Sequence, residues 1–217
     1  METHLSEIIG EEITIKSCCR TDSGVHALMH VSNFFVNKEL KIPVEKLSEV
    51  VNNTLPGDMR CLKTELVQEC FNSRKDARLR EYMYVIVNDN VKSPFYRHRA
   101  WTIHGELSVR RLRRALKKIQ GTHDFASFCA NPPGTENTVR TIIKVKVKKK
   151  GKKIFIFIRG YAFLHRMIRM LVGAAVEISQ KKQNPNRMLE AIALKSRKKN
   201  RYNTAPACGL YLYRITY

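Results

Sequence analysis

The spacing of apolar and polar positions changes along the chain, and each change predicts an element. Residues 1–10 read as the end of a helix stopped by Gly10, which suits a left-handed C-cap. Ile13 to Cys19 is β-branched and alternates, the pattern of a half-buried strand. Ser23-Gly24 then predicts a turn that Asp22 can brace through an Asx-type bond, and His26 to Phe35 returns as a second apolar strand. Behind Pro43, Val44, Leu47, Val50 and Val51 fall close to helical spacing, which predicts a helix over 42–51. Asn52 to Asp58 is a loop by its breakers, and Met59 to Cys70 is a strand of weaker alternation.

The remainder is patterned more strongly. From Tyr82 to Asn88 the chain reads as a strand, with Tyr82 and Tyr84 on one face and Met83 and Val85 on the other. Asp89 to Trp101 contains Pro94 and reads as a loop, the expected passage between two halves. After Ser108, apolar residues at 109, 112, 115, 116 and 119 recur at helical spacing while arginines and lysines fill the other positions, and Gly121 ends the run. Residues 141–158 predict a hairpin. Its first strand alternates Ile143, Val145 and Val147 with lysines, so it is half exposed; Ile154 to Ile158 is apolar on both faces and belongs deep in a sheet. The tip, Lys148 to Lys153, is expected to be a mobile basic finger. Tyr161 to Gly173 predicts a helix apolar nearly all the way round, hence buried; a helix over 184–194, a basic loop over 195–201 and a closing strand to Tyr217 follow.

Composition narrows the class. A chain of 217 residues with 43% hydrophobic content can bury a real core, which excludes disorder as the default. Lys+Arg 40 against Asp+Glu 19 leaves a net charge of +21, and such a surplus points to a polyanionic partner: nucleic acid first, an acidic membrane surface second. Nothing in the sequence runs for about 20 apolar residues, so a membrane span is not expected; the longest apolar stretch, 167–176, is broken by Arg169. The opening residues carry neither a signal-peptide core nor the acid-poor character of a transit peptide, which predicts cytosol or nucleus, or a mitochondrial address if a transit segment lies upstream of Met1. The six cysteines have no CxxC spacing and read as reduced thiols. A zinc site from Cys18, Cys19, His26 and His30 is disfavoured because adjacent cysteines on a strand point to opposite faces.

Candidate chemistry sits at three places. Asp22 follows the first strand and is either a turn former or a reactive carboxylate. Tyr82, flanked by Arg78 and Arg80, is either a core-rim tyrosine or a ring that stacks on an unpaired base while the arginines meet phosphates. Arg166 and Arg169 lie in the apolar helix, where a guanidinium is costly unless a carboxylate or phosphate meets it; the alternative is a solvent-facing arginine. The basic face over 110–118 is either solvated or in contact with phosphates.

Four segments then carry a resemblance. Arg20-Thr21-Asp22-Ser23-Gly24-Val25-His26-Ala27, Arg80-Glu81-Tyr82-Met83-Tyr84, Tyr161 to Gly173, and Ala205-Pro206-Ala207-Cys208-Gly209-Leu210-Tyr211-Leu212 resemble, in order, motifs of the TruA-type tRNA pseudouridine synthases; His123 to Phe128 resembles a further family segment with no catalytic role assigned. The resemblance runs from about residue 5 to residue 217. It implies an α+β fold: two α+β halves, 1–74 and 75–217, sharing a continuous, mostly antiparallel sheet with helices packed on it and a basic central cleft. It also implies isomerisation of uridine in tRNA without cofactor or metal. Asp22 is the implied nucleophile, Arg169 its ion-pair partner and Tyr82 the ring packed on the target uracil. Arg20, Arg74, Arg78, Arg80 and Arg166 are RNA-binding candidates, and Leu210 and Leu212 are pocket walls. The implied partner is tRNA, with no membrane, and a second copy of the chain is a candidate. Two departures stand out. The strand and glycine-containing loop that open family members do not stand in the residues given, so the chain is expected to be N-terminally truncated, and the family's FHAR reads Phe71-Asn72-Ser73-Arg74, which keeps only the outer residues. A basic RNA-binding module of the same fold without activity is the alternative, and a structural ribonucleoprotein component a further one.

Overall fold

The computed structural model describes residues 1–130 and 137–217. The chain divides into two compact units, one of Met1–Arg20 with Val31–Ala77 and one of Thr21–His30 with Arg78–Tyr217.

In the first unit, helix α1 (Glu2–Ile9) ends where Gly10 takes a φ of 78° and returns its N–H to the Ser6 carbonyl at 2.8 Å. Helix α2 begins behind Pro43, runs over Val44–Thr54 and so takes in Asn52, Asn53 and Thr54 from the expected loop. Leu5 of α1, Leu47 and Val51 of α2, Ile13 and Leu55 form the unit's buried cluster.

The strand expected over 13–19 shrinks to β1 (Lys16–Ser17), paired antiparallel with β3 (Ser32–Asn33). Side chains of α1 already satisfy the preceding backbone: Ile13 N–H donates to Ser6 Oγ at 2.9 Å and Ile15 N–H to Glu2 Oε1 at 2.8 Å. A similar substitution removes the strand expected over 59–70. Asn52 of α2 accepts from the Cys61 N–H at 2.7 Å and donates to its carbonyl at 2.8 Å, and Thr64 Oγ1 donates to the Val44 carbonyl, so the segment is extended without a ladder. Buried Asn33 accepts from Ser73 N–H at 2.9 Å and donates to the Phe71 carbonyl at 3.3 Å, and Ser73 Oγ donates to the Lys16 carbonyl at 2.7 Å. These bonds tie 71–73 onto the β1–β3 pair.

The second unit holds a seven-stranded sheet ordered β2-β9-β4-β8-β7-β6, with β5 also on β4: β2 His26–Ala27, β4 Leu79–Asn88, β5 Trp101–Ile103, β6 Gly121–Asp124, β7 Val139–Lys150, β8 Lys153–Gly160 and β9 Leu210–Thr216. Among the described residues only the β2–β9 and β4–β5 pairs are parallel. The α+β class and the mostly antiparallel sheet are as expected; the continuous sheet shared by two halves is replaced by two separate ladders. The single strand expected over 26–35 is divided accordingly, because its first residues pair with β9 and its last with β1.

Helices α3 (Val109–Lys117), α4 (Met167–Gln180) and α5 (Arg187–Ala193) supply the second unit's core together with the sheet. Alternation on β8 is strict: Ile154, Ile156 and Ile158 are fully buried in the cluster that includes Leu112 and Leu116 of α3 and Leu171 of α4. Phe155 packs instead on Val85 and Val87, and Phe157 lies edge-to-face on Tyr213. The basic hairpin tip belongs to this ladder rather than forming a free finger. Lys148, Lys149 and Lys150 pair with Phe155, Ile154 and Lys153, Gly151 turns the chain at a φ of 57°, and Lys152 reaches Asp89 at 2.7 Å.

The buried helix expected over 161–173 starts later and runs further. β8 ends at Gly160, where a Cβ would lie 2.6 Å from the Thr141 carbonyl, and the chain needs residues 161–166 to turn back over the sheet. Arg166, the N-cap of α4, closes that turn in the left-handed region at a φ of 59°. Among the described residues no helix is long and apolar enough to cross a membrane.

Candidate active site

Asp22 lies in the short connection before β2. Its carbonyl accepts from Val25 N–H at 3.0 Å and Gly24 takes a φ of 80°, so the predicted turn forms through the backbone. The carboxylate is thereby left for other work than the Asx bond expected of it. Arg169 Nη1 donates to Oδ2 at 2.6 Å, His165 Nε2 stands 3.2 Å from Oδ1, and Arg166 Nε lies 3.7 Å from Oδ2. All three side chains come from the turn that opens α4 and from its first turn. The positive φ at Arg166 lets consecutive side chains face one acceptor, which a helix starting at 161 would have spread around its circumference.

The pair is largely withdrawn from water: the Arg169 side chain is 14% exposed and that of Asp22 20%. Such a pair is stable only when its remaining donors are satisfied, and Arg169 Nε donates to the Ala205 carbonyl at 2.9 Å. The same stretch is pinned in return, since Ala205 N–H donates to the Arg169 carbonyl at 3.1 Å. Gly173 permits the approach, because a Cβ there would stand 2.0 Å from the Asn203 carbonyl oxygen.

Beneath this stretch lies Tyr84 of β4. It was expected to share an aromatic surface with Tyr82, yet it is fully buried and its hydroxyl donates to the Pro206 carbonyl at 2.7 Å. Gly209 makes room for it: a Cβ there would meet the Tyr84 ring at 2.6 Å. Burial pushes the Tyr84 phenol far above the usual range, with the Cys208 thiol adding to the rise and Arg169 opposing it. Burial also raises the Cys208 thiol. The strand alternation was right, but a bulge at Glu81/Tyr82 and the covering stretch 205–209 separate the two tyrosines in environment. Tyr82 is only half-buried and packs edge-to-face on Phe163, the rings 5.3 Å apart.

The other predicted residues are distributed widely. Leu210 and Leu212 of β9 sit opposite Tyr84 and Tyr82 and are buried within the sheet, so they support the tyrosines from the core. Arg80 donates to the Tyr161 carbonyl at 2.8 Å, and Arg78 is exposed at the start of β4. Arg20 and Arg74 belong to the first unit, and both are exposed. The structure thus brings Asp22, Arg166 and Arg169 together. The Sγ atoms of Cys18 and Cys19 are 3.7 Å apart, not on opposite faces, because both cysteines lie beyond the two-residue strand where alternation applies.

Two histidines of this region have roles that the sequence does not predict, His26 having been weighed only as a zinc ligand. His165 sat inside a quoted motif without a role, and only the left-handed turn after it aims it at Asp22. His26 stacks on Tyr211 with ring centroids 4.6 Å apart, and its Nε2 donates to the His98 carbonyl at 2.7 Å. Tyr211 in turn donates to the Arg99 carbonyl at 2.6 Å. This buttress holds β2, and so the Asp22 turn, against β9.

The chain is similar to known proteins over most of its length. A family profile described as tRNA pseudouridine synthase matches residues 115–217. The chain is 39% identical over 211 residues to tRNA pseudouridine synthase A of Brachyspira hyodysenteriae, an alignment covering 97% of this chain and 84% of that protein. Proteins of the same name from Brevibacillus brevis and Dictyoglomus thermophilum are each 36% identical, over 217 and 220 residues, with all of this chain and 88% of theirs aligned.

Proposed function

The chain belongs to the tRNA pseudouridine synthase A family, and on that footing we propose that it isomerises uridine to pseudouridine in tRNA with Asp22 as the nucleophile. The observation that carries the reading is a single carboxylate met by Arg169, His165 and Arg166 at the opening of α4. A carboxylate so surrounded is oriented before substrate arrives, and orientation is what a weak oxygen nucleophile needs.

The uridine leaves the RNA stack and enters the site. One Asp22 oxygen bonds covalently to the nucleoside, the N-glycosidic bond breaks, and the uracil turns while still held. Its C5 then bonds to the sugar carbon, the bond to Asp22 breaks so that the carboxylate is released, the C5 proton passes to solvent, and the freed N1 takes up a proton from solvent. Atoms are conserved and no redox partner is needed. Arg169 holds the carboxylate in place through the reaction, its second bond to the Ala205 carbonyl preventing the guanidinium from following the substrate. Tyr82 supplies the ring on which the uracil rests, itself steadied by Phe163. Arg80, Arg78 and Arg166 meet phosphates on the approach, and Arg20 and Arg74 are further candidates for phosphate contact.

Incubation of the purified protein with unmodified tRNA, followed by carbodiimide primer extension, tests the reading. Pseudouridine should form with the native protein, and Asp22→Ala should lower the rate by roughly 10³-fold or more. Product formed at the native rate by D22A would rule out the assigned nucleophile. No product from the native protein on any tRNA would end the enzymatic reading.

A further inference from the structure

A second concentration of positive charge lies at the opposite end of α4. Arg111, Arg114 and Lys118 recur at i, i+3 and i+7 along one side of α3, flanking its buried residues Leu112, Ala115 and Leu116. With Lys117 they face the turn that joins α4 to α5, where Lys182 and Gln183 complete a cavity of about 580 Å³. The five cations of this lining have no carboxylate among them. The nearest acidic compensation is peripheral: Glu106 lies 3.1 Å from Lys182, with both side chains mostly exposed.

The groove is also built on a fixed frame. Ser179, buried near the end of α4, donates to the Ser108 carbonyl at 2.7 Å, and Ser108 caps α3 by accepting from Arg111 N–H. The walls are therefore held at a set separation while like charges face each other across it, an arrangement that favours an incoming polyanion. Eleven residues of helical rise separate Arg169 from Gln180, the last residue of α4, so the far end of the helix, where the groove lies, stands about 16 Å from the Asp22 pair. One nucleotide bound at Asp22 cannot reach it.

We propose that this groove binds the phosphodiester backbone of a part of the substrate RNA remote from the reacting uridine, so that a folded tRNA is favoured over a short stem-loop carrying the same target. The inference rests on the tRNA reading above, but its test is a binding measurement that does not require turnover.

Affinity for a full-length unmodified tRNA and for a short stem-loop from it would be measured against salt concentration. Two variants remove charge from the groove: R114Q/K117Q/K118Q on α3, and R111Q/K182Q, which takes one cation from each wall. A third, K144Q/K146Q/K148Q on the exposed face of β7, is the control. Both groove variants should bind tRNA about tenfold or more weakly, and the triple one should lower the salt slope by roughly two to three, since each phosphate contact contributes about 0.7–0.9. Their affinity for the stem-loop should change less than about twofold. Equal losses on both RNAs, the same selective loss in the β7 control, or unchanged tRNA binding would each overturn the proposal. So would unchanged RNA binding with lost binding to an acidic protein or to anionic vesicles. If the native protein makes no pseudouridine while the selective binding loss persists, the groove stands and the enzymatic reading falls.

Discussion

The two ends of α4 carry similar charge and treat it in opposite ways. At its start, Arg169 is 14% exposed, donates to a carboxylate and a carbonyl, and is held by a chain segment that packs down on Gly173. At its end, Lys182 and the α3 cations project into an open groove and meet acidic groups only at its edge. The contrast separates two uses of a positive side chain. One is spent inside the protein, fixing a reactive group in a poorly hydrated place; the other is left for a ligand, and contributes little until the ligand comes.

Substitution should expose that difference most strongly at Arg169. Arg169→Met leaves the Asp22 carboxylate without its closest partner and the Ala205 carbonyl without its donor. Pseudouridine formation should fall by roughly 10²-fold or more, and thermal or denaturant unfolding should show a loss of about 2–3 kcal/mol, below the full cost of breaking a buried pair because Asp22 keeps some solvent. If R169M melted and reacted like the native protein, the internal use of this cation would be refuted.

A smaller effect is expected at His165, whose side chain is 44% exposed. His165→Ala should lower the rate by about tenfold through loss of carboxylate orientation, and change stability by less than about 0.5 kcal/mol. A D22A/H165A double mutant no slower than D22A would show that both side chains act on one step, while additive losses would place His165 elsewhere in the reaction.

Next comes the support under the paired end. Tyr84→Phe deprives the Pro206 carbonyl of its donor and should cost about 1–2 kcal/mol in denaturant unfolding. Its pH dependence has a definite sign. The folded phenol titrates above the unfolded one, so native stability from this group is complete below pH ~10 and declines as pH rises past that value, because the unfolded chain releases the proton first. Native protein should therefore lose stability at alkaline pH more steeply than Y84F. Equal slopes would mean that the phenol is solvated in the fold.

The least effect belongs to the open end. Lys182→Gln breaks only its exposed pair with Glu106, and unfolding free energy should change by less than about 0.5 kcal/mol. A larger loss would show that the groove is structural.

Much of this was legible before any coordinates. Helix ends at Gly10 and the turn at Gly24 follow from the need for a positive φ, and the β7–β8 hairpin follows from a change of alternation around Gly151. The Asp22–Arg169 pair was anticipated from an arginine in an apolar stretch that demanded an anion, together with a resemblance that supplied one. The misreadings share a cause. Residues 13–19, 26–35 and 59–70 have strand-like composition, but whether a backbone N–H bonds to another strand or to Ser6, Glu2 or Asn52 is settled by distant residues. Tyr82 and Tyr84 have the same place in the alternation, and only the covering stretch 205–209 makes one a core residue.

Composition gave the charge, and local spacing was enough for the buried face of each main helix, since that depends on side chains a few positions apart; the class of fold and the anion beside Arg169 needed the resemblance as well. The left-handed turn at Arg166, the arrival of His165 at Asp22 and the groove at the far end of α4 came from the folded chain alone. Each arises where segments remote in sequence compete for the same space and the same hydrogen-bonding groups, and that competition leaves no periodic trace in the sequence.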